Sequence, residues 1–527
     1  MRRQRSFMFG IMAVLALSVV MAGCSGSKAK NSSSPSQTES ANPSATSSSS
    51  ESAGNVDTSE PITLKYYLIG DEQKDSKAVW DEINKKLKAE INTTIEPVII
   101  PWADVPQKYP LIFASGEDFD MVWTGNWQNY ADIASKGGFM EITDEMIDKY
   151  VPKAKDELPA ASFKQARVGG KLYMIPFAEK TSDNETVMIR GDLREKYNLP
   201  PINGLQDLLN YCEAIVKNEK GIIPIADEGP NNKDFANAVL MNMNHWLPVS
   251  GTPNLAFDFT DDNPTIFSMY DKPEFLAFEN QMQEYKKKGY FSKSALTTNS
   301  PRAQEFKAGR GAVAFGNLND MVAMYQEVNN THPEWKLELA NADWGGKIAA
   351  QPSIVHGTAI HAGSKHADRV LMAVQLLSFN EDYNRLVNYG ILDKNYKVTA
   401  DNAYQPLNSD YVGTNYSAWA FRGKYLLKPA GAFPNYDEVL KYQIDNMVTS
   451  PLVAFSLVTT DIKPELATAN DIASSKVNVL TYGPARSPED TKKAIDDIVA
   501  AMKKVGSDKV ISETENQVKQ YLEDYNK

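Results

Sequence analysis

The chain has 527 residues, of which 42% are hydrophobic and 10% aromatic, and it carries a formal charge of −12. A net negative charge disfavours nucleic acid as a partner, because proteins that bind it present positive surfaces to the phosphates. Only two cysteines are present, which excludes a disulfide-rich scaffold, and the length predicts more than one domain.

The N-terminus has the layout of an export signal. Arginines at positions 2, 3 and 5 precede an apolar stretch from Phe7 to Met21. A short hydrophobic segment behind positive charge is typical of a secretory signal peptide. The stretch ends in a Met-Ala-Gly-Cys run that resembles the lipobox of bacterial lipoproteins. We therefore predict a signal peptide over 1–23 and lipid attachment at Cys24.

A polar segment follows the lipobox. Residues 24–60 are dominated by Ser, Thr, Asn, Ala, Gly and Pro, with an unbroken serine run over 47–50. Such a segment has almost nothing to bury, so it cannot offset the entropy lost on ordering. We predict a disordered tether that holds a folded body, from about residue 61, at the outer face of the cell membrane.

The first part of the body alternates strand and helix patterns. Residues 62–69 are apolar and aromatic, and positions 79, 83, 87 and 91 repeat apolar residues every four positions. Two further strands are predicted over 94–100 and 119–123, the second ending in a loop over 124–127. This alternation predicts an α/β fold with a parallel sheet, and ligands bind beyond the carboxyl ends of such strands.

Helix ends are readable further along the chain. Capping-box patterns over 271–274 and 487–490 predict helix starts, and Gly289 and Gly506 predict the corresponding ends. Cys212 lies within a helical apolar pattern, which predicts a small buried side chain rather than a reactive thiol.

Four runs spread along the body are distinctive: 113–122 (FASGEDFDMV), 170–176 (GKLYMIP), 306–315 (FKAGRGAVAF) and 362–367 (AGSKHA). In this order they resemble segments of the extracellular solute-binding proteins of ABC importers, in particular the sugar-binding group. Residues 388–398, 450–452 and 508–513 resemble the LipO-type lipoproteins of Gram-positive bacteria, which carry a C-terminal domain of unassigned function. Leu392-Asp393 departs from that subgroup, where Glu-Gly is expected.

The resemblance implies a periplasmic-binding-protein-like fold, with two α/β lobes joined by a hinge and a ligand cleft between them. The implied chain crossings fall near 177–184 and near 308–311. The implied division is 61–178 plus 311–378 for lobe one, and 186–308 plus 379–527 for lobe two.

A sugar ring offers an apolar face to aromatic side chains and a rim of hydroxyls to planar polar ones. The sequence places both kinds of side chain in predicted loops and at the expected crossing. The candidate ligand-binding residues are Trp123, Asn126, Trp127, Glu179, Trp246, Asn317, Trp344, Tyr416 and Trp419. For each tryptophan the alternative is a place in the core.

The resemblance implies a membrane-anchored receptor that captures a carbohydrate and presents it to an ABC permease, and we expect a monomer without a cofactor. The histidines at 332, 356, 361 and 366 have no metal-ligand spacing, so we expect structural roles for them and no metal site. Three alternatives stay open: a ligand-sensing surface lipoprotein, a peptide-binding protein and, least favoured, a secreted glycoside-active enzyme. The chain has no G-x-S-x-G or H-E-x-x-H motif. With 67 acidic residues, a catalytic carboxylate pair can always be nominated, so the number of acids does not distinguish an enzyme from a binding protein.

Overall fold

The computed structural model describes residues 56–177, 186–297, 301–413 and 418–525. In chain order the strands are β1 (Ile62–Ile69), β2 (Thr93–Ile100), β3 (Met121–Thr124), β4 (Arg167–Val168), β5 (Lys171–Leu172), β6 (Met174–Pro176), β7 (Thr186–Ile189), β8 (Trp246–Pro248), β9 (Leu255–Asp258), β10 (Phe267–Ser268), β11 (Val313–Gly316), β12 (Glu338–Asn341), β13 (Ile348–Ala349), β14 (Gly357–Ile360), β15 (Tyr396–Val398), β16 (Tyr404–Pro406) and β17 (Met447–Val448).

The helices are α1 (Ser76–Ile91), α2 (Val105–Ala114), α3 (Tyr130–Ser135), α4 (Asp144–Tyr150), α5 (Lys153–Glu157), α6 (Ala160–Gln165), α7 (Gly191–Lys196), α8 (Leu205–Asn218), α9 (Asp234–Asn237), α10 (Pro273–Lys288), α11 (Gln304–Lys307), α12 (Leu318–Thr331), α13 (Ala367–Phe379), α14 (Glu381–Tyr389), α15 (Tyr436–Asp445), α16 (Lys463–Ile472), α17 (Asn478–Tyr482), α18 (Pro488–Lys504) and α19 (Ser507–Tyr525).

A five-stranded sheet in the order β2-β1-β3-β14-β6 organises the first part of the fold. β1 pairs in parallel with β2 and β3, whereas β14 runs antiparallel to both β3 and β6. Helices α1, α4, α13 and α14 contribute to the apolar core around this sheet. We call the residues of this core and the elements they belong to the first lobe.

A second, three-stranded sheet has the order β11-β7-β12, with all pairs antiparallel. Successive side chains of a strand point to opposite faces, and β7 follows this rule. Val187 and Ile189 belong to one apolar core with α8 and α10, and Met188 belongs to another with α12. Both faces of β7 are therefore covered. We call the residues of these two apolar cores, and the elements to which they belong, the second lobe.

The structure differs from the predicted division of the chain. Residues 311–378 were assigned to lobe one, yet β11 and β12 both pair with β7 in the second lobe. The chain therefore does not cross at 308–311 but between β12 and β14. Helix α14 and residues 418–421, which the predicted division places in lobe two, pack into the first-lobe core. β11 and β12 join the second lobe because they pair with β7, which is distant in the sequence. Local sequence patterns do not predict such pairing.

The C-terminal part packs mainly on the second lobe. Val510 and Val518 of α19 share an apolar cluster with Leu255 and Phe257 of β9. The end of α19 also reaches the first lobe, where Lys164 Nζ donates to the backbone oxygen of Tyr525 over 3.0 Å. This segment therefore touches both lobes.

The start of the described chain is held on the first lobe by Arg369. Its guanidinium is 1% exposed, and it donates to the backbone oxygens of Asp57 over 2.7 Å and Ile91 over 2.8 Å. The segment that precedes β1 is thus held beside α13, which carries Arg369, and the end of α1, which carries Ile91.

Several local predictions are confirmed. β1 and α1 lie where the apolar patterns place them, and Ser487 caps α18 by accepting from the Asp490 backbone N–H over 3.1 Å. Cys212 is fully buried in α8, and burial raises the pKa of its thiol. The capping box at 271–274 is wrong: α10 begins at Pro273 without a side-chain cap, because Asp271 belongs to the preceding 3-10 turn.

Candidate ligand-binding site

The carboxyl ends of four first-lobe strands meet at one edge of the sheet. β1, β2, β3 and β6 run in the same direction, and β14 runs against them, so its start lies at that edge too. Trp102 follows β2, Trp127 follows β3, Phe177 follows β6, and His356 precedes β14. In open α/β sheets this edge is where ligands bind.

Five rings gather at this edge, and we call them the aromatic cluster: Trp102, Trp123, Trp127, His356 and Trp419. Trp127 lies 5.0 Å from Trp123 and 6.2 Å from Trp102, ring centre to ring centre. Trp419 stacks on His356 at 5.2 Å and lies 5.7 Å from Trp102. Trp123 is fully buried, while Trp102 and Trp127 are 39% and 38% exposed. The cluster therefore has a buried base and an accessible rim.

The loop that carries Trp127 is fixed by the segment before β14. The Asn126 backbone N–H donates to the Ile354 oxygen over 2.9 Å, and Trp127 Nε1 donates to the Val355 oxygen over 2.9 Å. A Cβ on Gly125 would collide with that same Val355 oxygen, so the close approach requires glycine. Trp127 is held in position before any ligand arrives.

Three polar atoms around the cluster are buried without a hydrogen-bond partner among the described residues. They are Trp123 Nε1, Asn126 Oδ1 and His356 Nδ1. An unsatisfied buried polar group costs about 1–3 kcal/mol, and a bound ligand or water that pairs with it removes that cost. Together they offer a fixed donor, a fixed acceptor and an imidazole nitrogen to a molecule at this edge.

His356 is neutral in the folded protein. Burial, with a smaller contribution from Arg422, lowers the pKa of His356 to about 3. A neutral imidazole has one donor and one acceptor nitrogen, which suits a hydroxyl group.

Asn126 also borders the second lobe. It lines a cavity of about 180 Å³ together with residues 247–250, the crossing segment 349–352 and residues 452, 453 and 455. The loop after β3 therefore reaches the junction of the two lobes.

The second lobe treats its candidate residues differently. Trp246 is 7% exposed in β8, where its ring packs on Phe267 at 5.0 Å, and this core position argues against a ligand contact. Asn317 caps α12: its Oδ1 accepts from the Asp320 backbone N–H over 3.0 Å. Trp246 therefore packs in the core and Asn317 caps a helix, and the sequence patterns predicted neither role.

Trp344 is the second-lobe candidate whose indole nitrogen has no described partner. It follows β12 in the left-handed region, with φ of 24°. Its ring packs on Phe235 at 6.3 Å and Phe315 at 6.4 Å, which leaves Nε1 as its unsatisfied end. Asn341 and Gly316 oppose Thr186 in the sheet, so Trp344 and Asn317 follow strand ends at the same edge.

Two of the cluster residues were not among the sequence candidates. Trp102 directly follows Pro101 at the end of β2, so the rule that selected Trp127 would also have selected it. The sequence favours a structural role over metal coordination for His356, and its place in the aromatic cluster becomes visible only in the fold. Glu179, Tyr416 and Cys24 lie outside the described residues.

Within the described ranges, no group of three or more His, Cys, Asp or Glu side chains is arranged to hold a metal ion. In the same ranges no helix combines the length and the apolar character needed to span a membrane.

Comparison with known proteins identifies similar chains. Residues 70–382 match the family described as bacterial extracellular solute-binding protein, and residues 451–523 match a domain of unknown function. A carbohydrate ABC transporter substrate-binding protein of Streptococcus pneumoniae is 22% identical over 478 residues, covering 88% of this chain and 92% of that protein.

Solved structures share the fold. The N-glycan transport solute binding protein NgtS of S. pneumoniae matches with a TM-score of 0.73 at 20% identity, over 88% of this chain and 99% of that one. Maltose-bound MalE3 of T. maritima matches with a TM-score of 0.53 at 16% identity, over 84% and 99%. The fold is therefore the mixed α/β fold of periplasmic binding proteins, as predicted.

Proposed function

The chain belongs to the bacterial extracellular solute-binding proteins, and we propose that it captures a carbohydrate, specifically an oligosaccharide, and delivers it to an ABC permease. The family is one of solute binders rather than enzymes. The relatives named for carbohydrate, N-glycan and maltose support the choice of ligand class.

The observation that carries the proposal is the aromatic cluster with its three unsatisfied polar atoms. Trp102 and Trp127 offer partly exposed ring faces, which suit the C–H faces of a sugar. Trp123 Nε1, Asn126 Oδ1 and neutral His356 can bond to sugar hydroxyls without any charge. Oligosaccharides present this combination of apolar faces and uncharged hydroxyls repeatedly along their length.

In this proposal the first lobe holds the ligand and the second lobe closes on it. Trp344 supplies an unpartnered indole N–H from the second lobe, and Trp419 extends the rim of the cluster. A ligand that contacts both lobes favours the closed state by its differential affinity. Glu179 and Tyr416 stay predicted contacts.

The membrane attachment is part of the proposal. A lipidated Cys24 and the tether over 24–60 would keep the receptor near its permease, since two or more acyl chains anchor stably and one does not. Replacing Cys24 with Ala should abolish labelling of the protein by radioactive palmitate; undiminished labelling would refute lipid attachment at Cys24.

A thermal-shift screen tests the ligand class. Ligand binding to the folded state raises Tm, so maltotriose, xylotriose, N-glycan fragments and an equimolar set of tripeptides are compared on the protein without residues 1–55. We expect at least one oligosaccharide to raise Tm and the peptides to leave it unchanged. If the peptides raise Tm and the sugars do not, the protein binds peptides and the proposed ligand class is wrong. Release of monosaccharide from an oligosaccharide would indicate an enzyme.

A further inference from the structure

A second cavity lies away from the aromatic cluster, between the first lobe and the C-terminal segment. Its volume is about 610 Å³, and its walls include Tyr130, Phe163 and Arg167 on one side and Ser456, Tyr521 and Tyr525 on the other. Pockets for small molecules have volumes of about 300–1,000 Å³, so this cavity is large enough for a ligand.

Polar contacts between its two sides and within the C-terminal side preform the cavity. Thr459 bonds to the carboxylate of Asp132 through its backbone N–H over 3.3 Å and its hydroxyl over 3.2 Å. Gln517 joins α19 to Val458 through two bonds of 2.9 Å, one to the backbone oxygen and one from the backbone N–H. A preformed site spends little binding energy on ordering itself.

Two buried hydroxyls of the cavity walls have no partner among the described residues. They are Ser456 Oγ and the Tyr521 hydroxyl. Burial raises the pKa of Tyr521, so this hydroxyl keeps its proton and can donate. The Tyr521 ring packs on Phe455 at 5.6 Å and on Tyr525 at 6.0 Å, which holds the hydroxyl in place.

The cations at the cavity already have partners. Lys164 donates to the Tyr525 backbone oxygen, and Arg167 Nη1 donates to the Gly170 oxygen over 2.9 Å while Nη2 lies 3.5 Å from Asp144. Asp524 also lines the cavity, so its charged groups are of both signs. Together with the aromatic faces and hydroxyls, they do not single out an anion as the ligand.

We propose that this cavity is a second binding site, which takes one or two neutral sugar units. The proposal rests on the proposed function for its ligand class. Aromatic walls suit the apolar face of a sugar, and sugar hydroxyls can donate to or accept from the two hydroxyls that have no described partner.

The segment 353–355 is a wall shared with the aromatic cluster. On one side Ile354 and Val355 accept from Asn126 and Trp127. On the other, the Ser353 backbone N–H donates to Gln165 Oε1 over 2.7 Å, and Ile354 lines the cavity. A sugar in the cavity therefore stabilises the segment that positions Trp127.

Saturation-transfer NMR with free glucose, mannose and N-acetylglucosamine tests the second site. The background is Trp127→Ala, which removes the main ring of the aromatic cluster. Gln520, an exposed cavity residue, is replaced with Trp to block the cavity, and the matched control is Lys519→Trp at the neighbouring exposed position outside the cavity. Tyr521→Phe with Ser456→Ala removes only the two hydroxyls.

We expect the Trp127→Ala protein and its Lys519→Trp control to transfer saturation to at least one sugar. Gln520→Trp should reduce that transfer at least tenfold, and the hydroxyl variant should also reduce it. No transfer from Trp127→Ala, or equal transfer from the Gln520→Trp and Lys519→Trp proteins, would overturn the second site. Failure of the proposed function is distinguishable, because the wild-type protein would then show no rise in Tm with any oligosaccharide, whereas failure of the second site alone would leave that rise intact.

Discussion

The two lobes place candidate residues at equivalent strand ends but use them differently. At the first-lobe edge, Trp102 and Trp127 are partly exposed and Asn126 keeps an unsatisfied oxygen. At the second-lobe edge, Asn317 is occupied as a helix cap, and Trp246, on another strand of that lobe, is core. A position at a strand end is therefore not enough to identify a binding residue. The side chain must also not be engaged in the core or in a helix cap.

The same comparison suggests unequal shares of binding. The first lobe offers rings, a donor, an acceptor and a neutral imidazole, whereas among the described second-lobe candidates Trp344 is the one with an unsatisfied polar atom. We infer that most of the affinity comes from the first lobe and that the second lobe contributes closure.

The largest expected effect is on folding. Trp246→Ala removes a buried ring from the second-lobe core, and large-to-small changes of this kind cost about 3–5 kcal/mol in the free energy of unfolding. Urea denaturation measures the loss. A stability within about 0.5 kcal/mol of wild type, with weakened sugar binding, would return Trp246 to the binding site.

The next effect is on affinity. Trp127→Ala should raise the Kd for the oligosaccharide found in the screen at least tenfold, equivalent to about 1.4 kcal/mol, because a stacking face is lost. Isothermal titration calorimetry gives the Kd, and Tm should stay near the wild-type value since the ring is 38% exposed. Unchanged affinity would move the site elsewhere.

The third prediction separates the lobes by pH. In the first lobe burial lowers the pKa of His356 to about 3, and in the second burial raises the pKa of Glu279 to about 7. His356 stays neutral when folded, so its stabilising contribution is present above about pH 6.5 and is lost as pH falls. Glu279 stays protonated when folded, so its contribution is present below about pH 4.5 and is lost as pH rises towards 7.

His356→Gln and Glu279→Gln should therefore change the pH dependence of stability in opposite directions, by up to about 1.4 kcal/mol per pH unit. Urea unfolding from pH 4 to pH 8 measures both slopes against wild type. Parallel slopes for the two variants would contradict the assigned burial of one group.

The smallest effect concerns the helix cap. Asn317→Ala should cost about 1 kcal/mol in unfolding free energy, because the α12 N-terminus loses its side-chain acceptor. Asn317→Asp keeps an acceptor and should retain stability and sugar affinity. A fall in affinity with either variant at unchanged stability would show that Asn317 contacts the ligand.

The sequence predicts what is local. The apolar period of α1 and the content of β1 locate these elements because both depend on near neighbours. The loop after β3 was found for the same reason. The pairing of β11 with β7, the burial of Trp246 and the neighbours of His356 depend on residues far away in the chain, so periodicity cannot reveal them.

The Arg369 clamp has a mechanical consequence. The predicted tether from Cys24 joins the folded body where Arg369 holds the Asp57 backbone, beside the sheet that carries the aromatic cluster. A force along the predicted tether would therefore act on the first lobe and not on the hinge. In the proposed mechanism the first lobe, which carries the aromatic cluster, would stay with the anchor while the second lobe moves.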